Sequence, residues 1–324
     1  MNDLIEYNPS VELAEQTYNY VAKMEDIRDL YKLQIAAAAA RELAKQAKEP
    51  KAHWNHFMAI AIWARWKIGK IIPEQFPHGG DHKSSHHNGD LKLKDIGIEP
   101  KHESNRWQLL ARVDKDKLQD HINQYNPKPT GKPATLTFNG CYKLLPKPPA
   151  PEGTYDVIVV DPPWEVKKIS RDDRPNQEDM DYPIMSIDEL IRWGPEYLKP
   201  ASDCHLFLWT THKYLHTGFH LLTEWGFKYV CTFVWHKPGG FQPVGLPQYN
   251  CEFILYGHKG SPRFISTKGL KTCFEGKRGE HSKKPDEFFE MIKNATEGNR
   301  LSMFERYERN GFEGWGDEYD GMGK

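Results

Sequence analysis

Residues 155–164 read Tyr155-Asp-Val-Ile-Val-Val160 followed directly by Asp161-Pro162-Pro163-Trp164. A short, nearly uninterrupted apolar run rich in β-branched side chains predicts a strand covered on both faces, as at the centre of a parallel sheet. In an open α/β sheet ligands bind beyond the carboxyl ends of the strands, so Asp161 to Trp164 stand where chemistry is done. Two consecutive prolines fix the backbone after the acid and remove two N–H donors. Asp161 and the Pro162 carbonyl then form a rigidly held pair of acceptors, with the flat ring of Trp164 next in line. Such a set suits an exocyclic aromatic amine, which offers two N–H donors on a ring that can stack. Its lone pair is delocalised into the ring. Gripping both hydrogens helps the nitrogen pyramidalise toward an electrophile held in line.

Outward from this stretch, the C-terminal half alternates strand-like runs (Tyr155–Val160, His205–Trp209, Tyr229–Trp235, Glu252–Tyr256) with helix-like segments (Ser186–Arg192, Tyr214–Trp225, Lys284–Asn294). That alternation predicts a doubly wound, Rossmann-like α/β sheet with helices on both faces. The N-terminal part reads differently. Val11 to Lys48 is helical by its three- and four-residue apolar spacing, ending at Pro50, and Ala52 to Ile72 is a second, Trp-rich helical stretch closed by Pro73. Pro77–Gly89 reads as an exposed loop. Its histidines His78, His82, His86 and His87 lack the ordered surroundings that metal ligands need, so no metal is expected.

The stretch Leu91 to Val113 has the layout of a helix-turn-helix. A short helix ends at Gly97, Ile98 sits in the turn, and Pro100 precedes a second helix that buries Trp107, Leu110 and Val113. Lys101, His102, Ser104, Asn105 and Arg106 are expected on its outer N-terminal face, where a recognition helix contacts base edges. The Pro- and Lys-containing segment Asn126–Pro133 reads as a linker, which divides the chain into a helical DNA-binding domain (1–135) and an α/β domain (136–324).

Across 324 residues, 44 Lys and Arg against 45 Asp and Glu leave a net charge of −1, which argues against a globally basic nucleic-acid binder. Resolved along the chain, however, residues 51–150 hold 16 basic and 9 acidic residues, or +7, and the remainder carries −8. A second basic cluster, +6, lies between Gly257 and Lys284 and contains Lys268, Lys271, Lys277 and Arg278. Placed beside the site, it would grip phosphates flanking a base turned out of its stack. The composition, 38% hydrophobic and 27% charged, is that of a globular protein, and neither a membrane-spanning run nor a signal peptide is expected. Five cysteines without C-x-x-C spacing suggest neither a disulfide framework nor a zinc site, and point to a reducing, cytoplasmic setting.

The ordered motifs from Tyr155 to Glu318 resemble the D-P-P-W type, beta-class amino methyltransferases that use S-adenosylmethionine, the group containing the catalytic subunit of the mRNA adenosine methyltransferase and many bacterial and phage adenine methyltransferases. Besides Asp161–Trp164, the resemblance rests on Tyr182-Pro-Ile-Met-Ser186, His205–Thr211, Phe233–Pro238, His281-Ser-Lys-Lys-Pro-Asp-Glu287, Leu301–Arg306 and Gly314-Trp-Gly-Asp-Glu318. It implies that Asp161 and Pro162 hold the target amine, with Pro163 completing the catalytic motif and Asp161 also reaching the cofactor, and that Trp164 and Tyr182 flank the target base. Lys284 would meet the cofactor's carboxylate. Arg306 with the backbone near Phe304, and Asp317 with Glu318, would line its ribose and adenine. The function expected is methyl transfer from S-adenosylmethionine to the 6-amino group of adenine in DNA after base flipping. Adenosine in RNA, the cytosine 4-amino group, and a non-catalytic DNA-binding role are the alternatives.

Overall fold

The computed structural model describes residues 12–76, 92–98, 103–125, 134–165, 183–242, 245–276, 283–317 and 319. Tyr182, Lys101, His102, Lys277, Arg278 and Glu318 lie outside the described residues, as do the histidine-rich loop and the segment 126–133. One compact unit runs to Pro146 and a second starts at Lys147.

The first unit is helical. α1 (Leu13–Ala22) and α2 (Ile27–Gln46) replace the single long helix expected, because Asp26 caps a new start by accepting the Arg28 N–H at 2.7 Å. α3 (Lys51–Gln75) runs past Pro73, and its ladder resumes with Phe76 N–H donating to Ile72 O at 2.8 Å. α4 (Leu93–Ile96) ends at Gly97, whose φ of +95° only glycine adopts without strain, and the Gly97 carbonyl accepts the Tyr31 hydroxyl at 2.7 Å. Ile98 is buried behind this turn. α5 (Glu103–Ala111) buries Trp107 and Leu110, as its spacing predicts.

Ser104 departs from the expectation. It is only 3% exposed, because it shares the apolar stripe with Trp107 and Ala111 at helical spacing, and its Oγ accepts from Gln108. It is not available to a duplex, whereas Asn105 is exposed and Arg106 half-buried. α6 (Lys115–Asn123) and α7 (Phe138–Tyr142) complete the unit, and Leu136, Phe138, Cys141 and Tyr142 belong to its core. The division expected at 135 therefore falls about ten residues early, since the chain from 136 to 145 supplies helical-core side chains.

The second unit is the α/β sheet. Its elements are β1 (Tyr155–Val160), α8 (Ile187–Tyr197), β2 (Pro200–Thr210), α9 (Leu215–Glu224), β3 (Lys228–Phe241), β4 (Tyr249–Lys259), β5 (Cys273–Glu275), α10 (Asp286–Ala295), β6 (Arg300–Met303) and β7 (Glu313–Trp315). The strand order is β5-β3-β4-β2-β1-β6-β7. β1 pairs in parallel with β2 on one side and β6 on the other, while β4 is antiparallel to both neighbours. Ile158, Val160, Leu206 and Leu208 face the core shared with α8 and α9, and the alternating Val157, Val159, Phe207 and Trp209 face that shared with α10. Helices thus cover both faces, as expected. The chain leaves β1 for β2 in one direction and reaches β6 in the other, so the sheet reverses its winding at the end of β1. No helix among the described residues is long and apolar enough to cross a membrane.

Candidate active site

Asp161 follows β1 at that reversal, and its backbone N–H lies 3.5 Å from Met303 O at the end of β6. Its carboxylate, one-third exposed, meets Lys284 Nζ at 3.1 Å. The same Nζ lies 3.1 Å from Glu252 Oε2 on β4, and Lys237 of β3 holds the other Glu252 oxygen. Trp209 closes the group from below, its ring 5.0 Å from the Lys284 ammonium. Lys284 precedes α10 rather than opening it, with Pro285 at the cap.

These charges shift one another. Burial and the neighbouring Glu252 raise the Asp161 carboxyl above its usual range, with Lys284 opposing. Burial also works against the charged form of Lys284, but Asp161 and Glu252 outweigh it and hold the amine up to about 12. Burial pushes Glu252 up too, yet the two lysines prevail and keep it below the ordinary value.

The rest of Asp-Pro-Pro-Trp is held by backbone. Trp164 N–H donates to Pro162 O at 2.8 Å, which leaves that carbonyl one further lone pair, and Met185 N–H donates to Pro163 O at 3.0 Å. Trp164 is buried. Its indole donates to Trp209 O at 3.2 Å, and one face stacks on Tyr214 at 4.9 Å and 11°. Next to Met185, Ser186 and Glu189 form a capping box that fixes the start of α8.

On the β6 side the chain turns through Phe304, whose φ is +59°, and Glu305 N–H donates to Trp315 O at 2.9 Å. This approach depends on Gly316, where a Cβ would lie 2.9 Å from Glu305 O and 3.1 Å from Phe304 Cα. Arg306 and Asp317 follow on the two turns so joined. The structure therefore brings Asp161, Pro162, Trp164 and Lys284 together, with Phe304, Arg306 and Asp317 at the neighbouring β6–β7 end. Lys268 and Lys271 are exposed on the segment before β5. Sequence reasoning passed over Glu252, Lys237 and Tyr214. The only local signal was a charged residue at the end of an apolar strand run.

The sequence profile of the MT-A70 family matches residues 155–318, about half of the chain. The chain belongs to the MT-A70 family. Its members are adenine N6-methyltransferases with S-adenosylmethionine as methyl donor. Among relatives, the chain is 30% identical over 189 residues to the Type II methyltransferase M.MunI of a Mycoplasma species, covering 52% of this chain and 78% of that protein. A putative N(6)-adenosine-methyltransferase MT-A70-like protein of Medicago truncatula is 28% identical over 173 residues, 50% of this chain and 26% of its own length. The N(6)-adenosine-methyltransferase catalytic subunit METTL3 of Homo sapiens is 27% identical over 163 residues, 48% of this chain and 26% of its own. The match thus spans about a quarter of those two proteins.

The donor set of this MT-A70 site fits the cofactor. Lys237 and Lys284 balance the charges of Glu252 and Asp161, so the group is neutral overall and presents both a cation and an anion at the end of β1. Lys284 would offer a cation to the cofactor's amino-acid carboxylate, and Asp161 an acceptor to its ammonium.

Proposed function

We propose that the chain transfers the methyl group of S-adenosylmethionine to the exocyclic 6-amino group of adenine in DNA. Bound S-adenosylmethionine supplies an electrophilic methyl on a sulfonium. Lys284 holds the cofactor's carboxylate, the Phe304 backbone and Arg306 its ribose, and Asp317 with Glu318 its adenine end. Asp161 and the Pro162 carbonyl each accept one N–H of the target amine, and Pro163 keeps that pair rigid. The amine that accepted a methyl group would carry one surplus proton. The Asp161 carboxylate, raised by burial, is placed to take it. Trp164 and Tyr182 flank the base. Lys268, Lys271, Lys277 and Arg278 meet adjacent phosphates.

The observation that carries the chemistry is the Asp161–Lys284–Glu252 group beside the Pro162 carbonyl. DNA is favoured over RNA by the α4–Gly97 turn and α5 in a basic segment, with Asn105 and Arg106 in the first turns of α5 and Lys101 and His102 before them in sequence. A helix reads the B-form major groove, which A-form RNA makes too narrow. RNA is the second reading, since several relatives are named N(6)-adenosine-methyltransferases. The test supplies methyl-labelled S-adenosylmethionine with matched DNA and RNA, followed by nucleoside analysis. Label is expected in N6-methyldeoxyadenosine. Label in RNA alone would establish the second reading, and a shifted but unlabelled duplex would leave a non-catalytic binder.

A further inference from the structure

Behind the site, a buried acid and a buried base join two segments far apart in the chain. Glu305 Oε1 accepts the backbone N–H groups of Arg306 at 3.0 Å and Tyr307 at 3.2 Å. Its Oε2 accepts the Ser302 hydroxyl at 2.8 Å and Arg309 Nε–H at 3.1 Å. Arg309 continues through Nη1 to Asp286 in the first turn of α10, and its guanidinium lies 4.2 Å from the Phe289 ring centroid. The two side chains are only 9% and 3% exposed. One end of this network thus fixes the turn after β6, where Phe304 keeps a left-handed backbone that other residues must enforce. The other end holds the start of α10, two residues beyond Lys284.

We propose that Glu305 and Arg309 are positioning residues that lock the turn carrying Phe304 and Arg306 to the helix start carrying Lys284, so that the ribose and carboxylate ends of the cofactor site are set as one unit. This inference rests on the reading of those residues as the S-adenosylmethionine site. Links that share one carboxylate and one guanidinium are coupled, so cutting one is felt by the others.

The test measures the dissociation constant for S-adenosylhomocysteine by calorimetry, with thermal unfolding in parallel. Glu305→Gln and Arg309→Met should each raise the constant about ten-fold, and the double variant no more than the larger single one. Arg309→Lys should recover part of the loss. Asp286→Asn alters the exposed end, where misfolding is not a concern. It should weaken binding about three-fold in the native background and by clearly less beside Arg309→Met, where only its pairing with Lys283 at 2.9 Å remains to be lost. Constants within two-fold of the unaltered protein, or effects that simply multiply, would overturn the coupling even if melting temperatures fall. Failure of the unaltered protein to bind would instead remove the cofactor-site reading and the positioning role with it.

Discussion

Both units bury a cation, and they do so in opposite ways. In the helical unit Arg65, 3% exposed, donates through Nε to the neutral Gln34 amide at 3.0 Å, with its guanidinium 4.1 Å from the Phe138 ring centroid and 5.7 Å from that of Trp107. In the sheet unit Lys284 lies between two carboxylates that displace one another's protonation. The first arrangement spends a charge on packing and orientation. The second concentrates perturbed acids at a sheet reversal, which is where chemistry, rather than stability, explains the cost. The same contrast separates scaffold from site across the whole chain.

Replacing each cation tests that contrast. Lys284→Met leaves the half-buried Asp161 without a cation and Glu252 with Lys237 alone, so it should cost about 2 kcal/mol in urea unfolding and weaken cofactor binding about 100-fold. Gly316→Ala forces Glu305 and Phe304 apart at the β6–β7 turn and should weaken cofactor binding about ten-fold, by calorimetry, while costing about 2 kcal/mol of stability. Arg65→Met should lower stability by about 2 kcal/mol while leaving cofactor affinity within about two-fold. A large loss of cofactor affinity in that variant would erase the distinction between the two buried cations.

The smallest expected effect is a pH slope. Because the folded-state pKa of Asp161 is raised, its contribution to stability is fully present below the ordinary 3.8 and is lost as pH rises through the higher folded value. Glu252 is the reverse case. Its contribution is present above the ordinary 4.5 and is lost as pH falls through the lowered value. Asp161→Asn should therefore gain stability relative to the native protein as pH rises above the ordinary 3.8, read by urea unfolding at each pH. A constant difference would mean that burial does not disfavour the ionised acid.

What could be read beforehand followed from local pattern. β1 runs from Tyr155 to Val160, as expected, because an apolar run ended by an acid and two prolines leaves no other boundary. Asp161 and Lys284 were reachable from motifs. Glu252 was not, because it reads as the polar start of a strand, and only the antiparallel placement of β4 between β3 and β2 carries it to Lys284. Glu305 and Arg309 were hidden for a similar reason. Their pairing depends on a left-handed turn at Phe304 and on a helix start about twenty residues earlier. Ser104 was misplaced by assigning the whole first turn of α5 to the outside, although its helical phase follows that of Trp107.

Asp161 is proposed above to grip the amine that receives the methyl group. That role is tested most directly by the rate at which Asp161→Ala transfers label from S-adenosylmethionine to adenine in DNA, with cofactor and duplex both saturating. The rate should fall about 1,000-fold with duplex binding retained. A rate within about ten-fold of the native protein would contradict it.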